Sequence, residues 1–140
     1  MKLFLDTSVL LAASGSEKGA SRLLLLSAAS KGWQALSSPY CLAEVEKNVA
    51  RIGAAAQQAW RRDLRGKLTL VHDCVVLDRP LTFDAMKDKP VLIAALAAEC
   101  DVLLTLDRSD FGVLFERGVY GLHVMTPGMF LRRSMNEGWR

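Results

Sequence analysis

The chain has 140 residues, of which 51% are hydrophobic and 24% are charged, and its formal net charge is +3. This is the composition of an ordinary globular protein, and it excludes collagen, low-complexity disorder and a disulfide-dense mini-protein. The length predicts one domain covering residues 1–140. A chain of this size buries roughly 68–70% of its unfolded surface, so it needs no metal or disulfide to fold.

The charge and the cysteines give weaker indications. Residues 1–70 carry ten basic and five acidic side chains, whereas residues 71–140 carry eight and ten, an asymmetry that marks a nucleic-acid face in some proteins. Cys41, Cys74 and Cys100 are far apart and form no C-x-x-C motif, which favours reduced cytosolic thiols.

Asp6 interrupts the first apolar run, which argues against a secretory leader. Because no run reaches the ~18 apolar residues of a membrane helix, we expect a cytoplasmic protein with no membrane partner.

Strand and helix patterns alternate along the chain. Strands are predicted at residues 3–5, 34–38, 68–71, 102–106 and 122–125, and helices at 16–31, 39–52, 54–66, 88–100, 110–117 and from 126 onward. The run 102–106 is continuously apolar, as in a central parallel strand that is covered on both faces. The alternation predicts an α/β fold, a sandwich with a mainly parallel central sheet.

Two acidic residues stand at the ends of predicted strands. Asp6 ends the first strand, and Asp107 ends the strand at 102–106. In an open parallel sheet, ligands bind outside the carboxyl ends of the strands, where the strand order reverses. If these two strands are neighbours, both carboxylates line one crevice.

Two further acids are ambiguous from their sequence positions. Asp88 precedes an apolar helix, where an isolated Asp is more often an N-cap than a ligand. Glu44 and Glu46 lie on the helix after the second strand and point about 200° apart, so only one of them can face the crevice. Either glutamate alone is more often a solvated surface charge. Four carboxylates in one pocket would repel one another unless a cation is present, and Mg²⁺ and Mn²⁺ prefer oxygen ligands.

Four segments resemble the PIN-domain family, and the sequence is most similar to its VapC-type endoribonuclease toxins and their bacterial relatives. The first covers residues 3–11 and begins Leu3-Phe4-Leu5-Asp6-Thr7-Ser8, and the third covers residues 87–95 and begins Lys87-Asp88-Lys89-Pro90-Val91. The second covers residues 38–44, and the fourth covers residues 103–111. Each motif alone is weak, but all four stand in the family's order and roughly its spacing.

The resemblance implies a three-layer α/β/α fold and metal-dependent cleavage of RNA phosphodiester bonds. By position, the catalytic acids and metal ligands would be Asp6, Glu44, Asp88 and Asp107. Thr105 would fix Asp107 or a water on the ion, and Thr7 or Ser8 would hydrogen-bond within the pocket. The cofactor would be one or two Mg²⁺ or Mn²⁺ ions, and the products a 5′-phosphate and a 3′-hydroxyl.

Three other acids complicate the assignment. Asp110 is either a fifth ligand, acting through water, or the cap of a helix that begins at Phe111. Asp84 would share a helix face with Asp88 only if one helix covered both, and the break before Pro90 argues against that. Asp101 precedes a strand and is expected to be structural.

An acidic pocket does not attract RNA by itself, so the positive charge has to lie elsewhere. The densest basic run consists of Arg61, Arg62, Arg65 and Lys67. It is either a phosphate-contacting patch or a solvated helix face, with Arg132 and Arg133 as weaker candidates. Trp33 and Trp60 could stack bases, although a place in the core is the simpler interpretation.

The resemblance also implies partners, a small antitoxin protein and a second copy of the chain. Apolar residues at 23–29 and 54–60 would supply such surfaces, or they belong to the core. The main alternative function is a non-catalytic PIN module that binds nucleic acid or a partner. A phosphoaspartate receiver is disfavoured because Asp6 has no acidic neighbour. A haloacid-dehalogenase-type phosphatase is excluded by Ser8, where that family has a second Asp.

Overall fold

A computed structural model describes residues 1–74, 76–81 and 88–137. In that part of the chain, five strands form one parallel sheet in the order β3–β2–β1–β4–β5. The strands are β1 (Lys2–Leu5), β2 (Gln34–Ser37), β3 (Thr69–Leu70), β4 (Val102–Leu104) and β5 (His123–Met125). The sheet confirms the predicted α/β class.

Seven α-helices surround the sheet in the described residues. They are α1 (Thr7–Gly15), α2 (Ala20–Ser27), α3 (Pro39–Ile52), α4 (Ala54–Ala59), α5 (Lys89–Ala97), α6 (Arg108–Arg117) and α7 (Pro127–Glu137). A π-helical turn, Trp60–Leu64, and a 3-10 turn, Arg65–Lys67, extend α4.

Alternation along β1 divides the core into two layers. Leu3 and Leu5 face the layer packed by α1, α2, α4 and α7, whereas Phe4 faces the layer packed by α5 and α6. Both layers are buried because a parallel sheet is covered on its two faces. The result is the three-layer α/β/α sandwich that the resemblance implies.

The strand order places β1 and β4 side by side, with β2 on the other side of β1. The crossover direction therefore reverses between β1 and β4. This reversal confirms the expected neighbour relation and opens a crevice beyond the carboxyl ends of these two strands.

The largest difference from the predicted elements is near the N-terminus. The sequence pattern predicts a helix at 16–31 and none at 7–15, but the structure has α1 directly after Asp6 and a short α2. The apolar residues of α1 surround the helix, so no amphipathic period marks it. The signal that was available is the cap, since Asp6 accepts a hydrogen bond from the Thr7 amide.

Smaller differences concern strand and helix ends. The strand predicted at 102–106 ends at Leu104, and Leu106 is exposed. The helix predicted to start at 110 begins at Arg108. It ends at Arg117 and is followed by Gly118, whose φ of 64° and close approach to the Leu122 carbonyl leave no room for a Cβ atom.

The remaining structural expectations have clear outcomes. Trp60 and Trp33 are core residues, so neither offers an exposed face to a base. Cys41 and Cys100 are buried free thiols, and Cys74 is a partly buried one. Asp101 is structural, because its carboxylate accepts a hydrogen bond from the Lys2 amide at 2.7 Å. Asp84 lies outside the described residues.

Candidate metal centre at the carboxyl ends of β1 and β4

The acids of the predicted quartet line one cavity of about 210 Å³. Asp6 follows β1, Asp107 follows β4, Asp88 precedes α5, and Glu44 lies on α3. Four segments that are far apart in sequence therefore bring their carboxylates to the crevice where the strand order reverses.

Asp6 is the most elaborately held of these acids. Its amide donates to the Leu104 carbonyl at 3.0 Å, which ties the end of β1 to β4. One carboxylate oxygen, Oδ1, accepts from the Thr7 amide at 2.8 Å. The other, Oδ2, accepts from the hydroxyls of Ser8 at 3.0 Å and Thr105 at 2.8 Å.

The same two hydroxyls hold the loop after β4. The Ser8 hydroxyl accepts from the Leu106 amide at 3.0 Å, and the Thr105 hydroxyl accepts from the Asp107 amide at 3.1 Å. Each hydroxyl thus accepts a hydrogen bond from a backbone N–H and donates a hydrogen bond to the Asp6 carboxylate. The Asp6 carboxylate and the loop that carries Asp107 are fixed to each other by two short chains of hydrogen bonds.

Burial raises the pKa of Asp6 above its ordinary value of 3.8. Hydrogen bonds from Thr105, Ser8 and Thr7 oppose this effect, and the nearby charge of Asp107 adds to it. Desolvation dominates because only 4% of the residue is exposed. A cation in the cavity would favour the ionised form.

Asp107 and Asp110 share the first turn of α6. The Asp107 carboxylate accepts from the Asp110 amide at 2.9 Å, so Asp107 is the N-cap of this helix. The alternative in which Asp110 is the cap is therefore wrong. Carboxylate oxygens of Asp88, Asp107 and Asp110 lie within 4.8 Å of one another, a grouping that can hold a metal ion.

Asp88 occupies the N-cap position of α5, yet its side chain makes no capping hydrogen bond. The helix begins with Pro90 in its first turn, where a missing N–H costs nothing. The Asp88 side chain lines the cavity instead and is almost completely buried. Its position therefore differs from that of an ordinary capping residue.

The two glutamates of α3 have separate environments. Glu44 lines the cavity, is partly exposed and lies 3.8 Å from Lys47. Glu46 accepts a hydrogen bond from the indole N–H of the buried Trp60 at 2.9 Å and pairs with Arg65 at 3.3 Å. Of the two, Glu44 is the one that faces the crevice.

Three further residues that the sequence patterns do not mark as site residues also line the cavity: Tyr40, Leu11 and Val91. The signal for Tyr40 was its spacing, since it lies four residues before Glu44 on the same helix face. Thr7 lies nearby as well, and its hydroxyl donates to the Cys41 carbonyl at 3.4 Å. This contact joins α1 to α3.

The predicted basic patch lies away from this cavity. Arg61, Arg62, Arg65 and Lys67 are all exposed, as a nucleic-acid patch requires. Lys67, however, lines a pocket with Gln34 and Thr69, the first residues of β2 and β3. The patch therefore lies at the amino ends of the strands, whereas the carboxylates lie at the carboxyl ends.

The sequence matches the PIN domain family over residues 2–109. The chain belongs to the PIN domain family. Its fold is also similar to that of a chain in the crystal structure of VapBC2 from Rickettsia felis bound to a DNA fragment from their promoter. The TM-score is 0.59 and the identity 17%, with 89% of this chain and 97% of that chain covered. The curated proteins contain no match to this sequence.

The part of the chain that matches the family carries the acids of the cavity. The family match extends from the start of β1 to the beginning of α6, so it contains all four residues of the quartet. Among the described residues, no helix has the length and apolar character needed to cross a bilayer.

Proposed function

We propose that this PIN domain is a metal-dependent endoribonuclease that hydrolyses RNA phosphodiester bonds. The observation that carries the proposal is the convergence of Asp6, Glu44, Asp88 and Asp107 on one cavity. Side chains of like charge repel one another, so their assembly from four segments favours a cation-binding function over a structural one.

The donor set fits Mg²⁺ or Mn²⁺. Asp88, Asp107 and Asp110 offer hard oxygen ligands within 4.8 Å of one another. These three carboxylates, with Asp6 and Glu44 in the same cavity, are the residues that would hold the ion. When bound, the ion supplies positive charge beside a phosphate and increases the acidity of water.

The chain's own residues would position the reactants. Asp6 is held by three donors, so its carboxylate needs little reorganisation when substrate binds. Partly exposed Glu44 would take the proton from a water that attacks phosphorus. The P–O3′ bond then breaks, O3′ takes a proton from solvent, and the products are a 5′-phosphate and a 3′-hydroxyl.

We also propose that the chain is the toxin of a toxin–antitoxin pair in the cytoplasm. VapC-type proteins, which its sequence resembles, pair with a small antitoxin and often form homodimers. Leu23 and Leu26 on α2 are 59% and 46% exposed, which provides apolar surface for such a protein. An antitoxin arginine would complement the acidic cavity.

The test is cleavage of a labelled panel of single-stranded RNAs in Mn²⁺, Mg²⁺ or EDTA. Wild type should cleave only with a divalent ion, and Asp6→Asn and Asp88→Asn should each abolish cleavage. Asp63→Asn is the matched control, because it makes the same change at an exposed acid outside the cavity. Full cleavage in EDTA, or products with a 2′,3′-cyclic phosphate, would contradict the mechanism.

Absence of cleavage under every condition has two separable meanings. If calorimetric titration shows Mn²⁺ binding that Asp88→Asn removes, the enzyme has a narrow substrate range. If folded wild-type protein binds no Mn²⁺, the chain is a non-catalytic PIN module.

A further inference from the structure

A second groove, of about 350 Å³, runs along β5 between the end of α6 and the side of α7. Residues 114–118 form one wall, Met129 and Arg133 form the other, and β5 forms the floor. Because β5 is the last strand in the sheet order, no described strand covers its outer edge. We call this feature the α6–α7 groove.

The α6–α7 groove is predominantly basic. Arg117 and Arg133 line it, together with the single acid Glu116. A third arginine, Arg108, lies at one end, because its guanidinium contacts Phe115 and Met129, which both line the groove. The groove is therefore opposite in charge to the acidic cavity.

Arg108 is held across the gap between the two helices. Its guanidinium carbon lies 5.3 Å from the centre of the Phe115 ring, and its Nη2 lies 3.5 Å from the Met129 sulfur. A cation over an aromatic face is stabilised by the ring quadrupole. The next residue toward the N-terminus, Asp107, lines the acidic cavity, so Arg108 stands at the boundary of the two sites.

The groove and the cavity are also joined through the sheet. Met125, in the groove, accepts a hydrogen bond from the Thr105 amide at 3.1 Å. The Thr105 hydroxyl donates to Asp6, in the cavity, at 2.8 Å. Two hydrogen bonds thus connect the floor of the groove to Asp6 in the acidic cavity. The basic patch predicted from sequence lies instead at the opposite edge of the sheet, beside β3.

We propose that the α6–α7 groove binds the phosphate backbone of the RNA on one side of the scissile bond. Arg117 and Arg133 contact phosphates, and Arg108 guides the chain from the groove to the acidic cavity. The choice of RNA rests on the proposed function. The choice of the α6–α7 groove rests on its arginines and on the position of Arg108 between the groove and the acidic cavity.

The experiment measures binding of an end-labelled, unstructured single-stranded RNA by fluorescence anisotropy at several KCl concentrations. All proteins carry Asp88→Asn, which prevents cleavage during the measurement. The test variant adds Arg117→Ala and Arg133→Ala, and a charge-matched control adds Lys18→Ala and Lys31→Ala. A third variant, with Arg62→Ala and Lys67→Ala, tests the patch at the other edge of the sheet.

Loss of two phosphate contacts should reduce the slope of log K against log salt by about 1.4, since each contact to single-stranded nucleic acid contributes about 0.7. We expect this reduction, with at least tenfold weaker binding at low salt, only in the groove variant. Restoring the charges as Arg117→Lys and Arg133→Lys should recover most of the affinity, which separates the role of charge from a folding defect.

Three outcomes of the binding experiment would overturn the groove proposal, in addition to the absence of any loss in the groove variant. They are equal losses in all the double variants, a loss confined to the Arg62 and Lys67 variant, and no RNA binding by the parent protein at low salt. The nuclease proposal fails separately, if protein with Asp88 intact binds RNA through the groove but cleaves none with any metal. If the protein with Asp88 intact cleaves RNA and the groove arginines change neither binding nor cleavage, only the groove proposal is wrong.

Discussion

At the scale of single residues, Asp6 shows how hydrogen bonds hold a buried carboxylate in one position. Ser8 and Thr105 each accept a backbone N–H from the β4–α6 loop and donate to the same Asp6 oxygen. A hydroxyl whose acceptor side is filled by an amide has its hydrogen left for the carboxylate. The arrangement fixes both the Asp6 side chain and the Asp107 backbone without using an additional charge.

The raised pKa of Asp6 leads to a prediction about stability. The folded protein holds the Asp6 proton more tightly than the unfolded chain, because burial disfavours the ionised form. The free energy of unfolding should therefore fall as pH rises from the ordinary pKa of 3.8 through the raised one. Asn does not ionise, so Asp6→Asn should lack this decline and gain stability relative to wild type across that range.

Urea denaturation in EDTA at a series of pH values measures this difference. Asp63→Asn serves as the control, because it makes the same change at an exposed acid outside the cavity. A wild-type curve that keeps a constant distance from the Asp6→Asn curve at all pH values would contradict the assigned cause.

At the scale of elements, α3 places its two glutamates in different surroundings. The helix begins at Pro39 after the cap Ser38, whose hydroxyl accepts from the Cys41 amide at 3.3 Å. This start sets the rotation of the whole helix. As a result Glu44 faces the cavity, while Glu46 reaches the indole of Trp60 on another side.

Alanine should lower the stability of the protein at position 46 and lower the cleavage rate at position 44. Glu46→Ala removes the partner of the Trp60 indole N–H, and Trp60 is fully buried. Leaving that donor unsatisfied should lower the free energy of unfolding by roughly 1–3 kcal/mol with little change in cleavage. Glu44→Ala should change stability by no more than about 0.5 kcal/mol, because its pair with Lys47 is exposed.

Glu44→Ala should instead lower the cleavage rate roughly 100-fold, the size of effect expected when a proton acceptor is removed. Denaturation and cleavage assays on the two variants measure this double contrast, and each variant is the other's control. A Glu46→Ala protein that is inactive yet fully stable would show that the roles are assigned to the wrong residues.

At the scale of the whole molecule, the acidic cavity exists only in the folded state. Its carboxylates come from segments that start at Asp6 and end at Asp110, spread over most of the described chain. The unfolded chain does not hold them together, so a divalent ion that binds the cavity binds folded protein selectively. Metal binding and folding are therefore thermodynamically linked.

Divalent ions should consequently stabilise the protein. At an Mn²⁺ concentration 100 times the Kd, the linkage contributes about 2.7 kcal/mol, which raises the Tm by on the order of 10 °C for a domain of this size. Calorimetric melting with and without Mn²⁺ measures the shift. Asp88→Asn should remove most of it and Asp63→Asn should not, whereas an equal shift in both variants would indicate binding outside the cavity.

The sequence by itself determined the features that depend on local pattern. The order of the five strands, the continuously apolar β4, the boundaries of α3 and the acids at the strand ends all follow from short runs and caps. These features, with the four motifs, also led to the PIN domain family. The helix α1 was missed because apolar residues on all its sides hide the helical period.

Only the tertiary structure decided what depends on strand neighbours and on the rotation of helices. The pairing of β4 with β1 brings Asp107 to Asp6, and no local pattern encodes that pairing. The start of α6 at Arg108 made Asp107 the cap and placed Asp110 beside it. One residue of helix advances about 100°, so small shifts in a helix start change which side chain faces a site. The basic run before β3 reaches the amino ends of β2 and β3, whereas Arg108 at the start of α6 follows Asp107 of the cavity. A position along the chain does not show at which edge of the sheet it will fold.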